Sequence, residues 1–349
     1  MNNFSDRKIK YPIDFVVSWV DEKDPLWQSR MEETLRNACV DSERRFDKDF
    51  ADERYRDWKL LKYWFRGVEK FAPWVRRVWL VTDAQVPDFI NLGYKKLNIV
   101  DHKDYIPAKY LPTFNSNVIE LNFHRIEGLS EHFVYFNDDM LLTSPVKRSD
   151  FFRNGVPADM LCFQPDVANE TDDIMPYIFL NNAMVLARHF DKRAAVFQNP
   201  GNYFSLRYPF KNIVYNAMEL CFPRYTGFFT PHGPSPFMKS AFYKLWQIEG
   251  EAFDKSCESK FRSRNDINQY LIREYQKLSG DFTPYNTAEN LAYCDLSDDN
   301  ERICRIISGQ KKKMVCLNDS ANISDFEGAR AQLFSAFETI LPEKSRFEK

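Results

Sequence analysis

The sequence has no excess of charge of either sign, because 48 basic residues stand against 50 acidic ones, for a formal net charge of −2. A protein that binds DNA or RNA through phosphate contacts needs a basic surface, so this balance argues against a nucleic-acid partner. Long uncharged apolar runs are also missing, and the first apolar segment, residues 13–20, is interrupted by Asp14 and Ser18. We therefore expect neither a transmembrane segment nor a signal peptide.

Cysteines at metal-ligand spacing are absent as well. The seven cysteines are an odd set without a CxxC pair, and no histidine lies near them at the spacing of a zinc site. Scattered cysteines of this kind are typical of free thiols in a reducing compartment. We expect a cytoplasmic protein, with peripheral binding at the inner face of the membrane as a further option.

What the sequence does contain is an alternation of apolar runs and amphipathic segments, which predicts parallel β-α-β packing. The predicted strands are residues 13–20, 75–83, 97–102 and 132–136, and the predicted helices are residues 27–40, 51–71 and a segment from residue 118. We predict an α/β fold with a Rossmann-like, mostly parallel sheet, elaborated by a helical insertion and a C-terminal helix.

The pattern changes after Pro145, which suggests three segments. We expect residues 1–150 to form an α/β half, residues 151–230 a mostly helical insertion that lines a cleft, and residues 231–349 a segment that completes the same domain. Further helices are predicted at 240–250, 266–278 and 325–341. Residues 280–315 are predicted to be mainly loops.

The most informative motif follows the apolar run 133–136, where the chain continues with Asn137, Asp138 and Asp139. Polar residues at the carboxyl end of a buried strand lie where open α/β sheets bind their ligands. Adjacent carboxylates repel each other unless a cation or a proton lies between them, and a hard divalent ion with oxygen ligands suits a phosphate substrate. The same three residues are also good turn formers, so a purely structural turn is the alternative.

Several blocks of the chain, in order, resemble the Stealth family of sugar-1-phosphate transferases, which includes bacterial capsular polysaccharide phosphotransferases and the animal lysosomal-enzyme GlcNAc-1-phosphotransferase. The similar blocks are residues 13–27, 54–146, 232–266, and 316–319 together with 342–348. Glu69 to Val75 and Phe136 to Asp139 anchor the second block. The resemblance covers nearly the whole chain, and its four blocks lie in the family's order. It implies a fold similar to that of nucleotide-sugar transferases. It also implies that residues 1–150 bind nucleotide sugar and metal and that residues 231–349 complete the same catalytic domain.

The resemblance also implies roles for single residues. It places the family's active-site acids on Glu120 and Asp139, its histidine on His232 and its arginine on Arg262. Substrate-binding roles are expected for Asp21, Asn115, Asn117, Asp266, Asn318 and Asp319. We expect Asp138 and Asp139 to hold Mg²⁺ or Mn²⁺.

Each of these residues also has a structural interpretation. A histidine in a Pro-rich loop, such as His232, is often a packing residue, and Arg262 lies in a basic stretch that is typical of a solvated surface. Glu120 and His124 have the i, i+4 spacing of a helical pair and are expected to hydrogen-bond, or to be a solvent-exposed pair. Either Glu120 or His232 fits the role of a general base.

The resemblance predicts an enzyme that transfers hexose-1-phosphate, in particular N-acetylhexosamine-1-phosphate, from a UDP-sugar to a glycan or lipid-linked glycan, with release of UMP, in capsule or exopolysaccharide synthesis. Two alternatives remain open. A metal-dependent glycosyltransferase would release UDP instead. A catalytically silent carbohydrate-binding protein would use the aromatic residues, which make up 16% of the chain, as sugar platforms.

Overall fold

The computed structural model describes residues 11–37, 56–167, 174–320 and 323–349. The strands are β1 (Ile13–Ser18), β2 (Val78–Thr82), β3 (Leu97–Asp101), β4 (His132–Phe136), β5 (Met140–Leu142), β6 (Phe152–Arg153), β7 (Val156–Asp159), β8 (Ser235–Met238), β9 (Thr283–Pro284), β10 (Leu291–Asp295) and β11 (Met314–Asn318). The helices are α1 (Pro25–Asn37), α2 (Leu61–Phe71), α3 (His102–Tyr105), α4 (Ser116–Leu121), α5 (Met175–His189), α6 (Lys192–Gln198), α7 (Pro200–Tyr203), α8 (Phe210–Glu219), α9 (Lys239–Ile248), α10 (Gly250–Cys257), α11 (Gln269–Leu278), α12 (Glu301–Ser308) and α13 (Phe326–Ile340).

The main sheet has the strand order β3-β2-β1-β4-β8. The first four strands are parallel and β8 is antiparallel to β4, so the predicted α/β fold with a mostly parallel sheet is confirmed. The chain moves outward from β1 to β3 and then returns to place β4 on the other side of β1. Ligands of open α/β sheets bind beyond the carboxyl ends of the strands at such a reversal.

A second sheet, of order β10-β11-β5, adjoins this edge. Its strand β5 begins directly after Asp139 and pairs with β11, so the C-terminal part of the chain is attached next to the acidic pair. The prediction that residues 280–315 are mainly loops is wrong, because this stretch contains β9, β10, α12 and the start of β11. Strands β10 and β11 are stabilised by pairing with each other, a tertiary effect that short apolar runs do not reveal.

The predicted helix at residues 51–71 is shorter in the structure. Residues 51–55 lie outside the described residues, and α2 begins only at Leu61. Asp57 accepts a hydrogen bond from the Lys59 backbone N–H at 2.6 Å, and Lys59 has a φ of 55°, so this local turn replaces the first helical turn. The helix predicted at residues 27–40 is observed as α1 up to Asn37; its last residues lie outside the described part.

Other predicted elements are confirmed within a few residues: α4, α9, α11 and α13. Within the predicted insertion, the hairpin β6–β7 precedes the four helices α5 to α8. Two large apolar clusters form the core, and β1 and β4 contribute side chains to both. Among the described residues, no helix combines the length and the apolar character needed to cross a bilayer. The division of the chain into three segments stays a prediction.

Candidate active site

Asp138 and Asp139 lie in the turn that joins β4 of the main sheet to β5 of the second sheet. The turn is closed by a hydrogen bond from the Met140 N–H to the Asn137 carbonyl at 3.1 Å. The side chain of Asp139 is 28% exposed, and its Oδ1 atom is buried without a hydrogen-bond partner. Burial raises the pKa of Asp139, although the nearby His232 acts in the opposite direction. The three residues Asn137, Asp138 and Asp139 therefore form a turn, and this turn leaves one carboxylate oxygen of Asp139 available to a ligand.

His232 reaches this turn because its loop precedes β8, whose first residue Ser235 pairs with Tyr135 near the end of β4. The His232 Nε2 atom lies 3.9 Å from Asp139 Oδ2. On the other side of the ring, Nδ1 lies 2.7 Å from the hydroxyl of Tyr270 in α11. Burial lowers the pKa of His232, so the ring is held towards its neutral form, which can accept a proton.

Cys316 in β11 is the third group at this point. It pairs with Met140, and its Sγ atom lies 3.5 Å from Asp139 Oδ2. Ligand atoms of Asp139, His232 and Cys316 all lie within 4.8 Å of one another. Burial first, and then the neighbouring Asp139 carboxylate, raises the pKa of the Cys316 thiol, so the protonated thiol is favoured.

Glu120 projects from α4, whose first turn is capped by the Asn115 side chain through the Asn117 N–H. Its Oε1 atom accepts a hydrogen bond from the Tyr135 hydroxyl at 3.2 Å. Burial raises the pKa of Glu120 to about 7, with Arg262 opposing the shift. A carboxyl group with this pKa exchanges protons near neutral pH, as a general base requires.

The expected hydrogen bond between Glu120 and His124 is wrong. Helix α4 ends at Leu121, so the i, i+4 spacing does not persist to His124. The His124 ring instead packs against Phe242 and Trp246, and burial lowers its pKa to about 3. His124 is a packing residue of the apolar core.

Arg262 lies in the loop between α10 and α11. Its Nε and Nη2 atoms donate to the Ser116 hydroxyl of α4 at 3.1 and 2.5 Å, and among the described residues it forms no salt bridge. Its charge lowers the pKa values of both Glu120 and His232. A guanidinium without a salt bridge to any described carboxylate is available for a phosphate.

Asn115, Asn117 and Asp266 form the buried connection that holds this arginine loop against α4. The two amide groups donate to Asp266 Oδ2 at 2.8 and 3.0 Å, and the Ser263 N–H donates to the same atom at 3.0 Å. Asp266 is fully buried. In the structure these residues position Arg262; their predicted contact with substrate stays a prediction.

Asp21 follows β1, and its neighbour Glu22 lies near Asp57 from the loop before α2. The Asp21 carboxylate raises the pKa values of Glu22 and Asp57, and the Asp57 carboxylate raises those of Glu22 and Asp138. Burial is the largest cause of each shift. The Oε2 atom of Glu22 is buried without a partner. The edge beyond β1 and β4 therefore collects negative charge with few cations to balance it.

Asn318 and Asp319, at the end of β11, are engaged in structural contacts. Asn318 donates to Asp295 Oδ1 at 2.8 Å. Asp319 accepts from the Arg56 guanidinium at 2.5 and 2.9 Å and from the Trp58 indole at 2.9 Å. These contacts connect the segment before α2 to the second sheet, and direct substrate binding by the two residues stays a prediction.

The donor set fits a divalent cation. The buried, partnerless oxygen of Asp139 and the mutual repulsion of Asp138, Asp139 and Asp57 are both relieved by positive charge at this turn. Carboxylate oxygens suit Mg²⁺ or Mn²⁺, whereas the thiol and imidazole of Cys316 and His232 suit softer ions such as Zn²⁺. A Mg²⁺ or Mn²⁺ ion would be bound by Asp138 together with Asp139, whereas a Zn²⁺ ion would be bound by His232 and Cys316 together with Asp139.

Sequence reasoning missed Tyr135, Tyr270, Ser116 and Cys316 as neighbours of the active-site residues. Tyr135 and Tyr270 lie in a buried strand and a buried helix, where a tyrosine has the pattern of any core residue. The sequence predicts that Cys316 is a free thiol, and its place in the fourth family-like block gives it no role. Only the pairing of β5 with β11 brings it to Asp139.

The family model described as Stealth protein CR2, conserved region 2, matches residues 54–159, which contain Glu120 and the acidic turn. The chain is 39% identical over 337 residues to the capsular polysaccharide phosphotransferase WcwK of Streptococcus pneumoniae, covering 97% of this chain and 98% of the relative. It is 38% identical over 341 residues to the exopolysaccharide phosphotransferase cps2G of Lactiplantibacillus plantarum, covering 97% of each.

A further relative is the receptor polysaccharide phosphotransferase WefC of Streptococcus oralis, with 36% identity over 337 residues, 96% of this chain and 99% of the relative. Among solved structures, one similar to this chain is the galactosyltransferase LgtC in complex with donor and acceptor sugar analogs. The alignment covers 95% of this chain and 98% of the LgtC chain, at 9% sequence identity and a TM-score of 0.37. At that score the alignment carries no conclusion about the site.

Proposed function

Because the chain belongs to the Stealth family of bacterial sugar phosphotransferases, we propose that it transfers hexose-1-phosphate, in particular N-acetylhexosamine-1-phosphate, from a UDP-sugar to a glycan hydroxyl. The product is a phosphodiester and the leaving group is UMP. The names of the relatives support a setting in capsule or exopolysaccharide synthesis. The observation that carries the proposal is the convergence of Glu120, Asp139, His232 and Arg262 beyond the carboxyl ends of β1 and β4.

In this mechanism the acceptor oxygen attacks the phosphorus that is bonded to the sugar. The acceptor proton passes to a base, either the neutral imidazole of His232 or the carboxylate of Glu120. The new oxygen–phosphorus bond forms as the bond to the UMP oxygen breaks, and negative charge grows on the phosphoryl oxygens. Arg262 offers these oxygens two parallel N–H donors.

Asp138 and Asp139 would hold the divalent cation, Mg²⁺ or Mn²⁺, which supplies electrostatic stabilisation of the phosphate charge. Tyr270 orients His232 through its Nδ1 atom, so that Nε2 faces Asp139. Ser116 orients Arg262. Glu120 is buried, which excludes water from its part of the site and strengthens its electrostatic contacts.

The released nucleotide tests this function. We expect that incubation with a panel of nucleotide sugars, Mg²⁺ and an oligosaccharide acceptor yields UMP from at least one UDP-sugar, in an amount equal to the phosphodiester formed. Chromatography of the nucleotides is the measurement. Release of UDP would instead support the glycosyltransferase. A protein that binds the glycan but consumes no donor would support the silent carbohydrate-binding alternative.

Arg262→Lys is expected to lower turnover about tenfold to a hundredfold, because an ammonium group cannot reproduce the two-point contact with phosphate. The Michaelis constant for the donor should change less, since the contact strengthens as charge develops in the transition state. Steady-state kinetics is the measurement. Arg264→Lys is the matched control, an exposed arginine two residues away. Wild-type kinetics in Arg262→Lys would contradict the phosphate contact and favour the interpretation of Arg262 as a solvated surface residue.

A further inference from the structure

The predicted insertion carries an exposed apolar stripe. Ten of the sixteen exposed large apolar side chains among the described residues lie between residues 167 and 222. Five of them recur every fourth residue along α8 and its flanks: Leu206, Phe210, Val214, Met218 and Phe222, with exposed fractions of 96, 79, 37, 61 and 52%. Residues four apart share one face of a helix, so the members within α8 form a continuous surface.

Helix α8 is attached to the protein by its polar face instead. Its buried residues are Asn212, Asn216 and Glu219. Asn216 accepts from the Phe163 N–H at 2.6 Å and donates to the Leu161 carbonyl at 3.1 Å. A helix at the surface of a soluble protein normally buries its apolar side chains and exposes its polar ones. The inverted arrangement of α8 leaves its apolar face exposed, with no other element of the described residues covering it.

The charges along the stripe are positive. Between residues 200 and 224 the charged residues are Arg207, Lys211, Glu219 and Arg224. Glu219 is buried and paired with Lys192 Nζ at 2.9 Å, whereas the two arginines and Lys211 are exposed. This local excess contrasts with the net charge of −2 for the whole chain. The exposed apolar face is therefore flanked by cations that no acidic side chain of α8 neutralises at the surface.

We propose that α8 docks onto an anionic phospholipid bilayer, with its apolar side chains inserted between the headgroups and its cations against lipid phosphates. A short helix with an apolar face and basic flanks lies in the plane of the membrane interface. A glycan or protein surface would match the cations less well, because it lacks a continuous layer of phosphate next to an apolar phase. This docking goes beyond the proposed reaction and brings the enzyme to lipid-linked acceptors.

Vesicle sedimentation tests the docking without any turnover. We expect the wild-type protein to sediment with vesicles of phosphatidylcholine and phosphatidylglycerol, and to remain in solution with phosphatidylcholine alone or at high salt. Phe210→Ser with Met218→Ser should lower the partition coefficient at least tenfold, and Lys211→Glu should weaken binding to anionic vesicles. Leu92→Ser, an exposed leucine outside the insertion, is the matched control and should bind like wild type.

Activity of the variants on a soluble oligosaccharide should be unchanged, which separates this result from any failure of the proposed reaction. Equal sedimentation of the double variant and the wild type, or no binding of the wild type to anionic vesicles, would overturn the proposal. Sedimentation velocity in solution tests whether a second copy of the chain covers the stripe instead. A wild-type dimer that the double variant dissociates, together with no vesicle binding, would assign the stripe to a second copy of the chain.

Discussion

Asp139→Asn is expected to lower turnover more than about a hundredfold, equivalent to ~3 kcal/mol or more in the activation barrier, while the protein remains folded. The change removes the charge that the proposed cation requires and keeps the shape of the side chain. The Asp139 carbonyl still accepts from the Leu317 N–H at 3.0 Å, so the turn is preserved. Asp88→Asn is the control, because Asp88 is exposed and distant in sequence from the site residues.

Stability gives a second readout that does not depend on activity. Because burial raises the folded-state pKa of Asp139, its ionised form destabilises the fold at pH values above that pKa, and a neutral asparagine removes this cost. In a chelating buffer the melting temperature of Asp139→Asn should equal or exceed that of wild type. Added Mg²⁺ should stabilise the wild type more than the variant. Full wild-type activity in excess chelator would contradict the cation site.

The second large effect concerns the base. If His232 accepts the proton, its neutral form is active, and the rate rises with pH through the His232 pKa. Burial places that pKa below the ordinary value of about 6.5. His232→Ala should then remove this limb and slow transfer greatly while donor binding survives. If Glu120 is the base, the limb is centred instead near its raised pKa of about 7.

The pH profile of the turnover number in the two variants distinguishes the bases. Loss of the limb in Glu120→Gln, with its retention in His232→Ala, would assign the proton to Glu120 and leave His232 as an orienting residue. An unchanged profile in both variants would contradict both assignments. His189→Gln is the control. His189 is the last residue of α5, its ring contacts Glu249 at 2.7 Å, and it is not one of the predicted active-site residues.

Strands β1, β2 and β4 of the main sheet could be predicted because they are buried on both faces and therefore appear as short, mainly apolar runs, whereas the antiparallel strand β8 was not predicted. Asp138 and Asp139 could be placed at the edge of this sheet because they follow β4. The second sheet could not be predicted, since β11 is stabilised by pairing with β10 and β5, and a single short apolar run does not reveal its partners. The late start of α2, at Leu61, could not be predicted for a different reason. Its turn depends on Asp57 and Lys59, two residues that helices also accept.

Side-chain partners were the least predictable feature of the site. Asp266 carries the pattern of a candidate ligand, and the structure shows it receiving hydrogen bonds from Asn115 and Asn117. The spacing of Glu120 and His124 suggested a helical pair, and the early end of α4 separates them. In both cases the partner of the side chain depends on where the chain turns. That position is set by tertiary packing and cannot be read from residue spacing.

The position of the donor's β-phosphate after reaction tests the central claim most directly. A UDP-sugar with a radioactive β-phosphate is incubated with the enzyme, Mg²⁺ and acceptor, and glycan and nucleotide are separated. Transfer of hexose-1-phosphate predicts that the label enters the glycan and that unlabelled UMP is released. Label retained in UDP, with sugar alone added to the glycan, would contradict the account.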